Sequence, residues 1–173
     1  LFFVLLGPGL CLMAESGNAR SGAEARAAFF LYLFEFVDWT KRDAETGWTL
    51  CIAGEDPFGS AALALEGKSV RGRPLLLRRV KTQENLRACH VLYANLASSR
   101  LPALVQAVSA TDVVVVGEQA ELLALGGVLR LIMEGERVSF EINPKVRDRE
   151  DLRFSSQFLR LARNYRDVSR SQH

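Results

Sequence analysis

The chain has 173 residues, of which 49% are apolar and 24% charged, a balance that fits a folded domain and excludes both a disordered chain and a multi-span membrane protein. Its 22 basic and 20 acidic residues leave a net charge of +2, too near neutrality for an electrostatic nucleic-acid binder. Three cysteines and two histidines leave little material for metal chemistry, so neither a metal nor another cofactor is expected.

An apolar run, Leu1 to Met13, opens the chain and is interrupted by Gly7-Pro8-Gly9. It is too short to span a bilayer and its Gly-Pro-Gly breaks a helix. We read residues 1–19 as a signal peptide lacking its basic n-region, with cleavage after Ala19 and Ala14 as the competing position. The alternative is a buried N-terminal strand or helix. Residues 20–173 then form a single domain in an exported protein. Loss of Cys11 with the signal leaves Cys51 and Cys89, each in a strand-like run. An even count in an oxidising compartment favours a disulfide closing a loop of about 38 residues, with two buried free thiols as the alternative. Cys89 and His90 are neighbours on a strand and point to opposite faces, which argues against a shared metal ion.

From about Ser21 to Trp39 the pattern is helical, with Ala25, Ala28, Phe29, Tyr32, Leu33, Phe36 and Val37 on one stripe. Phe30 and Phe34 lie off it. Six aromatics fall between Phe29 and Trp39, so the helix is apolar on more than one side and is buried either inside the domain or between the domain and a partner. A strand follows at Thr49–Ala53, then a turn at Gly54–Gly59, a short helix at Ser60–Leu65, a basic loop at Gly67–Pro74 and a strand at Leu75–Val80. A helical turn at Glu84–Arg87, a strand at Ala88–Tyr93, a helix at Leu101–Ser109, a buried strand at Asp112–Val116 and a helix at Glu118–Leu125 complete the alternation. Val128–Met133 and Arg137–Ile142 form a hairpin around Glu134-Gly135-Glu136. An amphipathic helix from about Asp151 to Tyr165 ends the chain, with Leu152, Phe158, Leu159, Leu161 and Ala162 inward. The fold class is α/β: a layered, mostly parallel central sheet flanked by helices, with a C-terminal antiparallel hairpin and a final helix.

Catalytic signatures do not assemble. Gly67-Lys68-Ser69 lacks the first glycine of a phosphate-binding loop, since Ala62 stands there, and it precedes a strand rather than a helix. Gly59-Ser60-Ala61 is not a nucleophile elbow. His90 reads as structural. Lys68, Arg71, Arg73, Arg78, Arg79 and Lys81 form a basic run without a nearby acid or interleaved aromatics, which reads as solvated loop and edge-strand charge.

Several motifs then occur in order: Phe34-Glu35-Phe36-Val37-Asp38-Trp39; Leu50-Cys51-Ile52-Ala53-Gly54 with Asp56-Pro57-Phe58-Gly59; Leu65 to Leu75; Cys89-His90-Val91-Leu92-Tyr93; Gly126-Gly127; Phe140-Glu141-Ile142-Asn143; and Phe154 to Ala162. Together, over about residues 26–166, they resemble the YfiR-like family of bacterial periplasmic proteins. That resemblance implies a non-enzymatic regulator in the periplasm, a repressor that binds the periplasmic domain of an inner-membrane diguanylate cyclase and lowers cyclic-di-GMP output. It further implies sequestration by an outer-membrane lipoprotein, a capacity to form a homodimer, and disulfides. Cys51 and Cys89 match one family pair, and a second pair has no counterpart. Thr40 stands where many relatives have proline. Candidate partner-binding residues are Phe30, Phe34 and Trp39 on the aromatic helix, with Asp56 and Phe58 in the turn that follows the first strand. The competing reading is an extracytoplasmic small-molecule sensor with a pocket at the carboxyl ends of the strands, near Asp56–Gly59 and Gly126-Gly127.

Overall fold

The computed structural model describes residues 16–42, 44–81 and 85–165. Residues 1–15 of the expected signal peptide lie outside the described residues. Helix α1 spans Ser16–Phe36, the three-residue strand β1 Val37–Trp39, and β2 Trp48–Gly54. A 3-10 turn at Gly59–Ala61 leads into α2, Ala62–Leu65, and then into β3, Ser69–Val70, and β4, Arg73–Val80. Strand β5 is Val91–Asn95, α3 is Leu101–Val108 and β6 is Val114–Gly117. The hairpin pair is β7, Leu129–Glu134, and β8, Arg137–Ile142. Strand β9, Leu152–Phe154, and helix α4, Ser156–Leu161, close the described chain.

Seven strands form one sheet in the order β3-β4-β2-β5-β6-β7-β8. The run β4-β2-β5-β6-β7 is parallel, and β3 and β8 add antiparallel edges. The central strands are apolar on both faces, as a sheet covered on both sides requires. Trp48, Leu50, Ile52, Val91, Tyr93, Val114 and Val116 face a core roofed by α1, α2 and α4. Cys51, Ala53, Leu92, Ala94 and Val115 face a second core roofed by α3 through Leu101, Leu104, Val105 and Val108.

Helix α1 is rotated from the stripe its periodicity suggests: Phe29, Leu33 and Val37 of that stripe are buried, but so are Phe30 and Phe34, which lie off it. Phe30, Leu33 and Phe34 are fully buried with Ala27, whereas Ala28 is exposed and Tyr32 and Phe36 are half-buried. Two overlapping apolar stripes make the helical period ambiguous. Tertiary packing decides it by seating Phe30 against Phe58 and Tyr93, with ring centroids 5.5 Å away in each case. Tyr32 and Phe36 pack on Phe158 of α4. The helix also stops three residues early, because Val37–Trp39 leaves it to pair antiparallel with β9.

The final amphipathic helix is likewise shorter than expected. Leu152–Phe154 is a strand, and the helix begins only after Ser155, whose hydroxyl accepts from the Phe158 N–H as an N-cap. Leu161, expected inward, is 54% exposed. Glu118–Leu125 is a series of turns rather than a helix. Gln119 there donates through its amide nitrogen to the carbonyls of Ala94 and Leu96, and Gly127 N–H closes onto Leu122 O. The expected helical turn at Glu84–Arg87 is a 3-10 turn at Leu86–Ala88, and Glu84 lies outside the described residues. The basic loop is in fact a hairpin. Arg71 (φ 50°) and Gly72 (φ 75°) form its two-residue turn, both in the left-handed region that such turns need.

Cys51 of β2 and Cys89, two residues before β5, are joined by a disulfide with a Cα–Cα distance of 5.8 Å. It pins the two strands at the centre of the sheet inside the α3 core. Closing a loop across a separation of 38 residues restricts the unfolded chain. A Cys51→Ser, Cys89→Ser variant is expected to lose roughly 2–4 kcal/mol of stability, read as a lowered urea midpoint against the oxidised wild type. An unchanged midpoint would contradict this.

Candidate functional site

The residues singled out for partner contact occupy two adjoining aromatic groups. Phe30 and Phe58 form one with Tyr93; Phe34 stacks on Trp39 at 5.6 Å and lies 5.7 Å from Trp48. Phe30, Phe34, Trp39 and Phe58 are each at most 2% exposed. The structure thus accounts for the aromatic density of this segment by core packing and leaves none of the four on an open face. Asp56 plays a positioning part: Oδ1 accepts from the Phe58 N–H at 2.9 Å and Oδ2 pairs with Arg79. The basic run therefore does find acids, since Arg71 also pairs with Asp38 at 2.7 Å. Arg71 and Arg73 both lie over the Trp48 ring, at 5.7 and 4.8 Å from its centroid.

At the amino ends of the strands, charged groups gather around these tryptophans. Trp39 Nε1 donates to Asp112 O at 3.0 Å, and Arg42, 9% exposed, holds the Asp112 carboxylate with two nitrogens while donating to Arg87 O. His90 is sealed beneath them, edge-on to Trp39 and Trp48 at 5.3 and 5.1 Å. Its Nδ1 accepts from the Thr49 N–H, which places the neutral ring's proton on Nε2. Nε2 lies 3.2 Å from Glu45 Oε2 without hydrogen-bond alignment. Burial, reinforced by the Arg42 and Arg73 guanidinium groups against the opposing pull of Asp112, lowers the His90 pKa from 6.5 to about 4.

A second polar group sits at the carboxyl ends. Glu118, the residue after β6, receives Arg26 of α1 at 2.6 and 3.1 Å and the Tyr93 hydroxyl at 2.6 Å. Burial opposes the Glu118 charge, but the Arg26 and Tyr93 hydrogen bonds prevail and hold its pKa below the ordinary value. Burial, with the bond to Glu118, raises that of Tyr93. The triad fastens α1 to the sheet across 92 positions of sequence. Sequence reading passed over Arg26, Arg42, Asp112 and Glu118. The one local signal was a carboxylate at either end of the apolar run Val113–Val116: Asp112 directly before it and Glu118 after the intervening Gly117.

The two loops expected to frame a small-molecule pocket are closed. Phe58 fills the first from within. At the second, a Cβ added to Gly127 would lie 2.5 Å from Leu122 Cγ, so this glycine is needed for close packing rather than for a cavity. Among the described residues no group of three or more His, Cys, Asp or Glu side chains could hold a metal ion, and no helix is long and apolar enough to cross a membrane. The YfiR/HmsC-like family model matches residues 23–163, which takes in α1 from its second turn, the whole sheet and α4. The chain belongs to the YfiR/HmsC-like family. A comparison with curated proteins returns no match. Proteins of the YfiR-like family are non-catalytic regulators.

His90 gives the domain a measurable acid sensitivity. The unfolded chain takes up a proton at this residue below pH 6.5, whereas the folded one stays neutral to near pH 4, so stability falls as the pH drops between those values. The loss is expected to reach about 2 kcal/mol between pH 7.5 and pH 5. A His90→Asn variant, which keeps an acceptor for Thr49, should lack this component in urea unfolding at the two pH values. An identical pH response in the variant would show that other groups govern it.

Proposed function

We propose that this chain is a periplasmic regulatory protein that represses an inner-membrane diguanylate cyclase by binding its periplasmic domain. Membership of the YfiR/HmsC-like family across residues 23–163 carries this reading. The mechanism is linkage: a protein that binds the inactive conformation of the cyclase sensor domain more tightly than the active one shifts the population by that difference in affinity. A Cys51–Cys89 bridge accords with export to an oxidising compartment, after removal of residues 1–19 as a signal peptide. An outer-membrane lipoprotein that competes for the repressor would relieve repression without touching the cyclase, and self-association would do the same if it used the same face.

The face we assign to the cyclase is the turn at Asp56–Gly59 with α2. Leu63 of α2 is 83% exposed, the most exposed large apolar side chain described. Asp56 and Phe58 order the backbone just before it. Contact through Leu63 uses the buried aromatics as support rather than as surface.

The experiment is expression of the chain with its cognate cyclase and measurement of cellular cyclic-di-GMP. Wild type is expected to lower the dinucleotide level and to be retained by the membrane-bound cyclase in a pull-down. Leu63→Glu, a surface change expected to alter stability by no more than about 0.5 kcal/mol, should weaken that retention by about tenfold, equivalent to about 1.4 kcal/mol. A wild type that leaves cyclic-di-GMP unchanged would refute the function. A fully active Leu63→Glu variant would refute only the assigned face.

A further inference from the structure

The parallel strands lie in the order β4-β2-β5-β6-β7, so the parallel part of the sheet starts at β2, steps to one side for β4 and then returns past β2 to β5. The connection from β2 passes over the α1 face through α2, and that from β5 passes over the opposite face through α3. Where connections leave neighbouring strands on opposite faces, the carboxyl ends of those strands border a crevice, the usual place for a ligand in an open α/β sheet.

In this chain a cleft of about 250 Å³ lies there, lined by Ala53, Gly54, Val80, Lys81, Leu96 and Arg100. It is separate from both loops that the sequence suggested for a pocket. Gly54 (φ 100°) forms part of its wall, and a Cβ at this position would fall 1.9 Å from Asn95 O and 2.9 Å from the Leu96 side chain. Only glycine lets the end of β2 approach β5 so closely. Ala53, Val80 and Leu96 supply an apolar floor. Lys81 and Arg100 are exposed at the rim, and among the described residues neither makes an ion pair or a side-chain hydrogen bond.

We propose that this cleft binds a small anion bearing a phosphomonoester. Two cations on one rim, neither of them ion-paired among the described residues, select a compact, doubly charged group. The volume falls below the ~300–1,000 Å³ typical of drug-sized ligands, which restricts the occupant to a phosphate group with a few carbons on the apolar floor. Such a ligand supplies an input to the domain that is independent of the cyclase reading, since neither Lys81 nor Arg100 belongs to the face around Leu63.

The test is titration of the chain with inorganic phosphate and glycerol 3-phosphate, followed by amide chemical shifts, and flotation with phosphatidic acid vesicles against phosphatidylcholine controls. Saturable shifts at Gly54 and Leu96 with the free phosphates assign a soluble ligand. Flotation on phosphatidic acid without those shifts assigns a lipid headgroup. In either case a Lys81→Gln, Arg100→Gln variant with an unchanged circular dichroism spectrum and melting temperature is expected to bind at least tenfold more weakly. Absence of saturable binding to every probe, or equal affinity in the variant, would overturn the proposal.

Discussion

A parallel sheet with apolar side chains on both faces cannot stand against water, and the architecture of this domain follows from how each face is covered. On one side the eight-residue α3 suffices, aided by the disulfide between Cys51 and Cys89. On the other, the wide surface from β4 to β8 is met chiefly by α1, with α2 and α4 as small supports. The aromatic wealth of α1 answers that demand: Phe30 reaches Phe58 and Tyr93, Phe34 reaches Trp39 and Trp48, and Phe29 reaches Phe140 and Phe158. One helix therefore touches the centre and both flanks of the sheet.

Such a helix has to be fixed at both ends, because a rotation of one residue would bring its other apolar stripe inward. Arg26 anchors its first half to Glu118 and Tyr93 at the carboxyl ends of the strands. Just beyond its last residue, β1 pairs with β9, and Trp39 and Arg42 lock onto Asp112 at the amino ends. Each of these ion pairs would have to break for the helix to rotate. On the proposed reading, these fastenings keep the contact face constant while the cyclase changes conformation.

The hydrogen-bonding details point the same way. Asn164 caps the exposed edge of β8 with its amide, accepting from the Ile142 N–H and donating to the Ile142 carbonyl, and Glu66 accepts from the Leu77 N–H on the opposite edge. Sheet edges covered in this manner discourage strand addition. That leaves helix faces and strand-end loops as the natural meeting surfaces of the domain.

Much of this was legible in the residues themselves. Alternation of apolar runs with turn signals gave the α/β class, the late hairpin and most strand positions, because those are local properties of pattern and turn chemistry. The cysteine count pointed to Cys51 and Cys89, and the ordered motifs from Phe34 to Ala162 pointed to the family. The inward face of α1 was legible only in part: Phe29, Leu33 and Val37 follow the spacing, whereas Phe30 is buried because Phe58 and Tyr93 receive it. The strand identity of Val37–Trp39 and Leu152–Phe154 was hidden for a related reason: each exists only by pairing with the other, more than 100 residues away. The Arg26–Glu118 and Arg42–Asp112 pairs, 92 and 70 residues apart, were hidden in the same way. Local pattern and motif order carry the strand-helix rhythm and the family, and the cysteine count favours the bridge. Which aromatics are core, which charges are paired and where a cleft remains depend instead on contacts between segments distant along the chain.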